Sequence, residues 1–381
     1  MPALQIDIKE VLIDWIIQQA QYEHLNNAIL DLLFKWKSGE KKPTFKKIEE
    51  VSRITHIPFG YFFLNAPPEE NISLVDFRTV DSERMQNPSR NLIDTINSMQ
   101  RVQDWMADYY QENGYDTSPH VGCCNINESH EAIAEDIRSK LGIAKDWFTL
   151  CRDSSESFRF LRKQISALGI MVMRSGIVGN NTSRKLNLNE FRAFTLINEY
   201  APLIFINSND TENGKLFSLL HELAHVWLGE NSLYNEPYAN QDKISRLEQI
   251  CNAVAAEILV PDELFIKQWH NRDLEKLSKY FRCSRFVIIR KALENGFISR
   301  EDFSRTLSIL QNEYRQWQQG RKAKSGGGDF YKNLAAKWDR TFINALDEMT
   351  KSGSTQYTEA YRLTDTQSSS FAKLTQEINN S

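Results

Sequence analysis

Two histidines and a glutamate in one short stretch carry the clearest chemistry of this sequence. His221, Glu222 and His225 form an H-E-x-x-H pattern within F-S-L-L-H-E-L-A-H-V-W-L-G. Side chains four residues apart on a helix lie on one face, so the two imidazoles can bind one metal ion, most often zinc. Glu222 leaves the helix at a different angle and can accept a proton from a water molecule at the metal. The stretch therefore predicts a zinc-dependent hydrolytic site.

The stretch also has the pattern of a helix that packs against a core. Its apolar residues recur at helical spacing: Leu220, Leu223, Ala224, Trp227 and Leu228. Gly229 follows them and is well suited to end the helix. We therefore expect an amphipathic helix that holds both histidines on one face.

A second helix, from Arg246 to Pro261, offers the third metal ligand. Glu248 and Asn252 are four residues apart and share a face, so Glu248 can coordinate the metal while Asn252 orients a ligand through a hydrogen bond. Glu257 is the alternative ligand, but it lies roughly 180° around the helix from Glu248. Only one of the two glutamates can serve, and we prefer Glu248.

These two helices, with the preceding A-P-L-I-F-I-N, resemble the ImmA/IrrE family of metallo-endopeptidases. The resemblance implies that zinc is bound by His221, His225 and Glu248, and that Glu222 is the catalytic base. It also implies that the substrate is one specific regulatory protein, either a transcriptional repressor or an antitoxin. The similarity covers most of the chain and weakens after about Arg300.

The segment between the two metal helices is expected to be a loop. It contains Tyr234, Tyr238 and Arg246, any of which could donate a hydrogen bond to the oxyanion that develops during peptide hydrolysis. The sequence leaves open which of the three, if any, has this role.

The N-terminal part of the resemblance is a helix-turn-helix-like segment, Trp36 to Leu64, followed by the D-F-R-T sequence at 76–79. Between Lys35 and Arg53 there are seven basic residues against three acidic ones, an excess that could contact phosphates. However, the run before Trp36 is too apolar for a DNA-recognition helix. We therefore favour a role in packing or protein contacts. DNA binding is possible, and the alternative function is a DNA-binding regulator or antitoxin with an inert zinc site.

The predicted fold class is α+β and mainly helical, with a zincin (gluzincin-like) catalytic core around a small β-sheet. Three strands are expected before the metal helix, and the last of them, Leu203 to Asn207, should present a sheet edge to which a peptide can add. The predicted domains are a helical helix-turn-helix-like domain (1–66), a linker and long helix (67–125), the zinc metallopeptidase domain (126–310), and a flexible hinge with a helical C-terminal extension (311–381).

Composition restricts the class of protein and its compartment. Of 381 residues, 41% are hydrophobic and the net charge is −4, which suits globular domains and disfavours a protein wholly coated by nucleic acid.

The five cysteines are odd in number and irregularly spaced, so we expect a reducing compartment. Cys123 and Cys124, with His120 nearby, could form a second metal site, but no further ligand follows at zinc-site spacing. The polar N-terminus and the absence of a long apolar run predict a cytoplasmic protein with no membrane association.

Overall fold

The structure is a computed structural model that describes residues 5–22, 27–68, 88–235, 245–321 and 329–380. The chain divides into two compact units, the first containing the described residues up to Ile96 and the second those from Asn97 onward. The fold is mainly helical with one four-stranded mixed sheet among the described residues, so the predicted α+β class is confirmed. The Asp76–Thr79 sequence, Tyr238 and the expected hinge at 325–328 lie outside the described residues.

The first unit is built from short helices around its own apolar core. Its elements are α1 (Glu10–Tyr22), α2 (Asn27–Lys37), α3 (Phe45–Thr55) and the first turns of α4 (Arg90–Glu112). Leu33 and Trp36 of α2 are buried against Ile48 of α3. The apolar run that argued against a recognition helix is therefore used for packing, and the helix-turn-helix assignment stays a prediction.

The second unit surrounds the sheet with helices. Its helices after α4 are α5 (His130–Leu141), α6 (Ser154–Ala167), α7 (Glu212–Leu228), α8 (Arg246–Leu259), α9 (Asp262–Gln268), α10 (Leu274–Phe281), α11 (Arg285–Glu294), α12 (Arg300–Arg321), α13 (Phe330–Lys337), α14 (Arg340–Ser352), α15 (Tyr357–Thr364) and α16 (Ser368–Asn379). The predicted boundary at residue 310 falls inside α12, because an exposed charged helix shows no break in composition there.

The sheet has the strand order β1-β3-β2-β4, with β1 (Met171–Ser175), β2 (Ala193–Leu196), β3 (Leu203–Asn207) and β4 (Ser232–Tyr234). β1 runs parallel to β3, whereas β2 is antiparallel to both β3 and β4. The expectation that the strand before the metal helix forms an edge was wrong, since β3 is paired on both sides. The edge strands are β1 and β4, and the sequence did not reveal β4 because it has only three residues.

Helix α7, which carries the H-E-x-x-H pattern, lies at the centre of the second unit. It packs against β2 and β3 on one side and against α5, α6 and α8 on the other. Every residue from Ser218 to Trp227 is buried. The sequence predicted that one face of this helix would lie against a core. In the structure the sheet covers one side and helices cover the other, so the helix has little exposed polar surface.

The C-terminal helices dock on α6 and on the edge strand β1. The Arg162 guanidinium of α6 donates to the backbone oxygens of Ala336 and Trp338, and Asp339 accepts from the backbone N–H of Val172 in β1. The extension is thus tied to the same unit as the metal helix. Within the described parts of the chain, no helix has both the length and the apolar character needed to cross a membrane.

Candidate metal centre

The ends of α7 are fixed by local sequence signals. The side chain of Thr211 accepts a hydrogen bond from the backbone N–H of Gly214 and caps the first turn. Gly229 ends the helix at φ 71°, a left-handed conformation that favours glycine, as the sequence predicted. The helix therefore holds His221 and His225 inside the core, where both residues are fully buried.

Three ligand atoms converge between α7 and α8. Nε2 of His221 lies 3.2 Å from Nε2 of His225 and 3.1 Å from Oε2 of Glu248. Nε2 of His225 lies 3.4 Å from Oε1 of Glu248. The structure thus brings together the two histidines and the preferred glutamate, which come from helices separated by a long connection.

The spacing of these atoms fits a tetrahedral metal ion. Ligands held about 2.0–2.1 Å from zinc in a tetrahedron lie about 3.4 Å from one another, close to the three distances observed. Two imidazole nitrogens and a carboxylate are also a donor set that zinc prefers. The residues present therefore fit a divalent metal ion of this class.

Asn252 supports the first histidine in the way that its position on α8 predicted. Its Oδ1 lies 3.0 Å from Nδ1 of His221. In the tautomer with the proton on Nδ1, His221 donates to Asn252, and the lone pair of Nε2 is left for the metal.

Replacing Asn252 with alanine should weaken metal affinity by about 10- to 100-fold, because the imidazole loses the acceptor that fixes its tautomer and orientation. Competition with a chelator measures this directly. The Asn252→Asp variant keeps an acceptor and should bind more tightly than the alanine variant. Wild-type affinity in Asn252→Ala would show that the hydrogen bond does not orient the ligand.

The alternative ligand, Glu257, lies elsewhere. Its Oε2 is 2.6 Å from Nζ of Lys291, a buried lysine that also contacts Asp262 at 3.0 Å. The Glu257 carboxylate therefore pairs with the buried ammonium group of Lys291, which would be costly to bury without a partner. The sequence could not reveal this pairing, since Lys291 comes from α11.

The two glutamates of the site have opposite electrostatic environments. Burial raises the pKa of Glu222 to about 7, although His225 and two hydroxyl donors oppose the rise. Burial would also raise the pKa of Glu248, but His221 and His225 beside it hold that pKa well below its ordinary range. Glu248 is thus kept as a carboxylate, whereas Glu222 is poised to gain or release a proton near neutral pH.

A comparison with known protein families shows which family the segment around these residues resembles. Residues 165–293 match the family model of the IrrE N-terminal-like domain, Peptidase_M78. This segment contains all the residues of the cluster. This segment is similar to an IrrE N-terminal-like domain. The match confirms the resemblance to the ImmA/IrrE family and indicates a metallopeptidase of this type.

Outside the IrrE-like domain, residues 338–377 match a domain of unknown function, DUF8813, which corresponds here to helices α14 to α16. Comparison with curated proteins and with solved structures found no match.

Two hydroxyl residues of the IrrE-like domain that sequence reasoning missed hold Glu222. Thr195 of β2 and Ser232 of β4 are directly paired across the antiparallel strands. Both hydroxyls donate to Oε2 of Glu222, that of Thr195 at 2.5 Å. Oε1 of Glu222 is buried without a hydrogen-bond partner among the described residues. One carboxylate oxygen is thus anchored and the other is left for a proton. The single polar residue in the apolar strand A-F-T-L was the only available signal.

Removing both hydroxyls, in the variant Thr195→Val with Ser232→Ala, should lower kcat by about 100-fold, because the carboxylate of Glu222 can then rotate away from the reacting atoms. KM and metal content should be unchanged. The Thr195→Ser variant keeps the donor and should retain most of the activity. An unchanged kcat in the double variant would remove Thr195 and Ser232 from the positioning of Glu222.

Two of the three candidate oxyanion donors, Tyr234 and Arg246, lie in the described residues. Tyr234 is not a loop residue but belongs to β4, where it is buried with its ring centroid 4.0 Å from that of His221. Arg246 is exposed at the start of α8 and lines a cavity with Gln249 and Ala253, on the face opposite Glu248. The structure therefore brings Tyr234, but not Arg246, to the metal cluster.

Proposed function

We propose that the protein is a zinc-dependent endopeptidase whose substrate is a specific regulatory protein. The observation that supports this most directly is the convergence of His221, His225 and Glu248 at tetrahedral spacing beside a second, separately held glutamate. A site made only for structure needs four protein ligands, whereas three ligands leave one position for water or substrate.

The metal would be held by the two Nε2 atoms and the Glu248 carboxylate. A bound zinc ion would lower the pKa of the attacking water and polarise the scissile carbonyl. Asn252 fixes the ring of His221, so that the lone pair of its Nε2 faces the metal position. The anionic Glu248 offsets part of the positive charge of the dication.

Glu222 is proposed as the general base and then the general acid. Its Oε1 accepts the proton of the attacking water and passes it to the nitrogen of the leaving amine. The hydroxyls of Thr195 and Ser232 keep Oε2 in place during both transfers. Among the described residues, Tyr234, packed against His221, is the candidate for a donor to the developing oxyanion.

The edge strand β4 is proposed to align the substrate. Its residues Ser232 and Tyr234 contact Glu222 and His221, respectively, so that a peptide added along β4 would pass the catalytic cluster. Backbone hydrogen bonds from an extended peptide to a strand edge give affinity without demanding a particular sequence. Selectivity for one regulator must then come from contacts outside this strand.

The substrate class, a transcriptional repressor or an antitoxin, is proposed from the resemblance to the ImmA/IrrE family. The test compares new protein N-termini in cells that express the wild type or Glu222→Gln at equal levels. Cleavage at one site in one regulator, present only with the wild type, is the expected result. Cleavage of many unrelated proteins would point to a general peptidase. No difference between the two cell lines would overturn the proposal of an endopeptidase.

A further inference from the structure

A second cluster of metal-ligating side chains lies outside the segment matched to the IrrE-like domain. Cys123 and Cys124 follow α4 in a turn, and Asp136 lies on α5. One ligand atom of each lies within 4.8 Å of the other two. Cys123 is exposed and the other two residues are partly exposed, so the cluster can be reached from solvent. His120, the ligand considered from the sequence, instead stacks on the ring of Trp227.

The turn that carries the two thiols is fixed to the end of the catalytic helix. The backbone N–H groups of Gly122 and Cys124 donate to the carbonyl oxygens of Val226 and Trp227, each at 3.0 Å. These carbonyls belong to the last turn of α7, and that of Val226 also accepts from the capping N–H of Gly229 at 3.1 Å. A Cβ atom on Gly229 would lie 3.0 Å from Cα of Gly122, so the two backbones approach closely.

Asp136 reaches the same end of α7 through its side chain. Its Oδ2 accepts from Nε1 of Trp227 at 2.8 Å. A carboxylate has two oxygens, so Asp136 can hold the indole and still offer lone pairs to a cation. The cluster is therefore held at a fixed distance from the helix by backbone and side-chain bonds together.

We propose that Cys123, Cys124 and Asp136 form a second binding site, for a thiophilic divalent cation of the zinc class, that fastens α5 and the cysteine turn to the C-terminal end of α7. Two thiolates and a carboxylate select zinc, cadmium or cobalt over magnesium and calcium, which prefer oxygen donors. A water molecule completes a tetrahedral set. The cation would bind both cysteines as thiolates, so binding would release two protons to solvent.

Cobalt(II) titration of the full-length protein, kept reduced by a phosphine, tests this site separately from the catalytic one. A thiolate ligand gives a sulfur-to-cobalt charge-transfer band, whereas the His221, His225 and Glu248 set contains no sulfur. The wild type should develop this band at an amplitude of one thiolate-bound cobalt ion per chain, in addition to the ion bound by the histidine and glutamate set. The Cys123→Ser, Cys124→Ser double variant should lack it. The Asp136→Asn variant keeps an acceptor for Trp227 and should need about tenfold or more cobalt for the same band.

Two controls separate this proposal from the function proposed above. The His221→Ala, His225→Ala variant should keep the band in full, so failure of the catalytic assignment would not affect the result. The Cys251→Ser variant removes the buried thiol on α8 and should also keep the band. No band in the wild type, or a band that survives in the Cys123→Ser, Cys124→Ser variant, would overturn the second site.

Discussion

Replacing Glu222 with glutamine should reduce peptide cleavage by at least about 10²- to 10⁴-fold while the metal stays bound, the range that a positioned general base contributes. Glutamine has nearly the same shape, and its amide oxygen can still accept from Thr195 and Ser232. It cannot take a proton from water at neutral pH. The measurement pairs the cleavage rate on the regulator identified in cells with metal content by mass spectrometry.

The matched control for this variant is Glu230→Gln, the same change at an exposed residue just beyond α7. It should leave both the cleavage rate and the metal content unchanged. If Glu222→Gln cleaves at the wild-type rate, Glu222 is not the base. If it loses the metal, the role of Glu222 is to support the cluster rather than to transfer a proton.

Replacing Glu248 with alanine should lower metal affinity by more than about 100-fold and remove activity with it. Loss of an outer partner of a metal ligand already costs about 10- to 100-fold, and Glu248 provides the only negative charge among the three proposed ligands. The two imidazoles that remain come from one helix and cannot complete the set. Equilibrium dialysis against zinc, followed by metal analysis, gives the affinity and the stoichiometry.

Glu257→Gln is the control that separates the two candidate ligands on α8. Its side chain can still accept from Lys291, which keeps Asp262 as an anionic partner at 3.0 Å. Thermal melting checks that the variant is folded, and its metal affinity should match that of the wild type. The assignment would be reversed if Glu257→Gln lost the metal and Glu248→Ala retained it.

The elements around the metal could be placed from sequence because their signals are local. The H-E-x-x-H spacing, the stop at Gly229 and the spacing of Glu248 and Asn252 on α8 depend only on helix geometry and on the residues concerned. The strands β1 to β3 were expected near their observed positions for the same reason. Helices α13 to α16 form within the C-terminal extension, 311–381, that was expected to be helical.

The edge strand β4 could not be predicted in this way. β4 has three residues and is recognised only through its pairing with β2, which lies more than thirty residues earlier in the chain. The expectation that β3 forms the edge failed because chain order does not determine strand order. The same pairing of β2 with β4 places Ser232 opposite Thr195. The two hydroxyls that hold Glu222 therefore could not be predicted from the sequence either.

The sequence by itself determined the chemistry available to this protein: two imidazoles on one helical face, a carboxylate between them at another angle, and a carboxylate with a supporting amide on the following helix. These follow from residue type and helical period, which act over a few residues. Only the tertiary structure placed Glu248 rather than Glu257 beside the two histidines, anchored Glu222 through Thr195 and Ser232, and brought Asp136 to the cysteine pair. Each of those outcomes depends on contacts between segments distant in sequence, and the packing of the whole core selects such contacts.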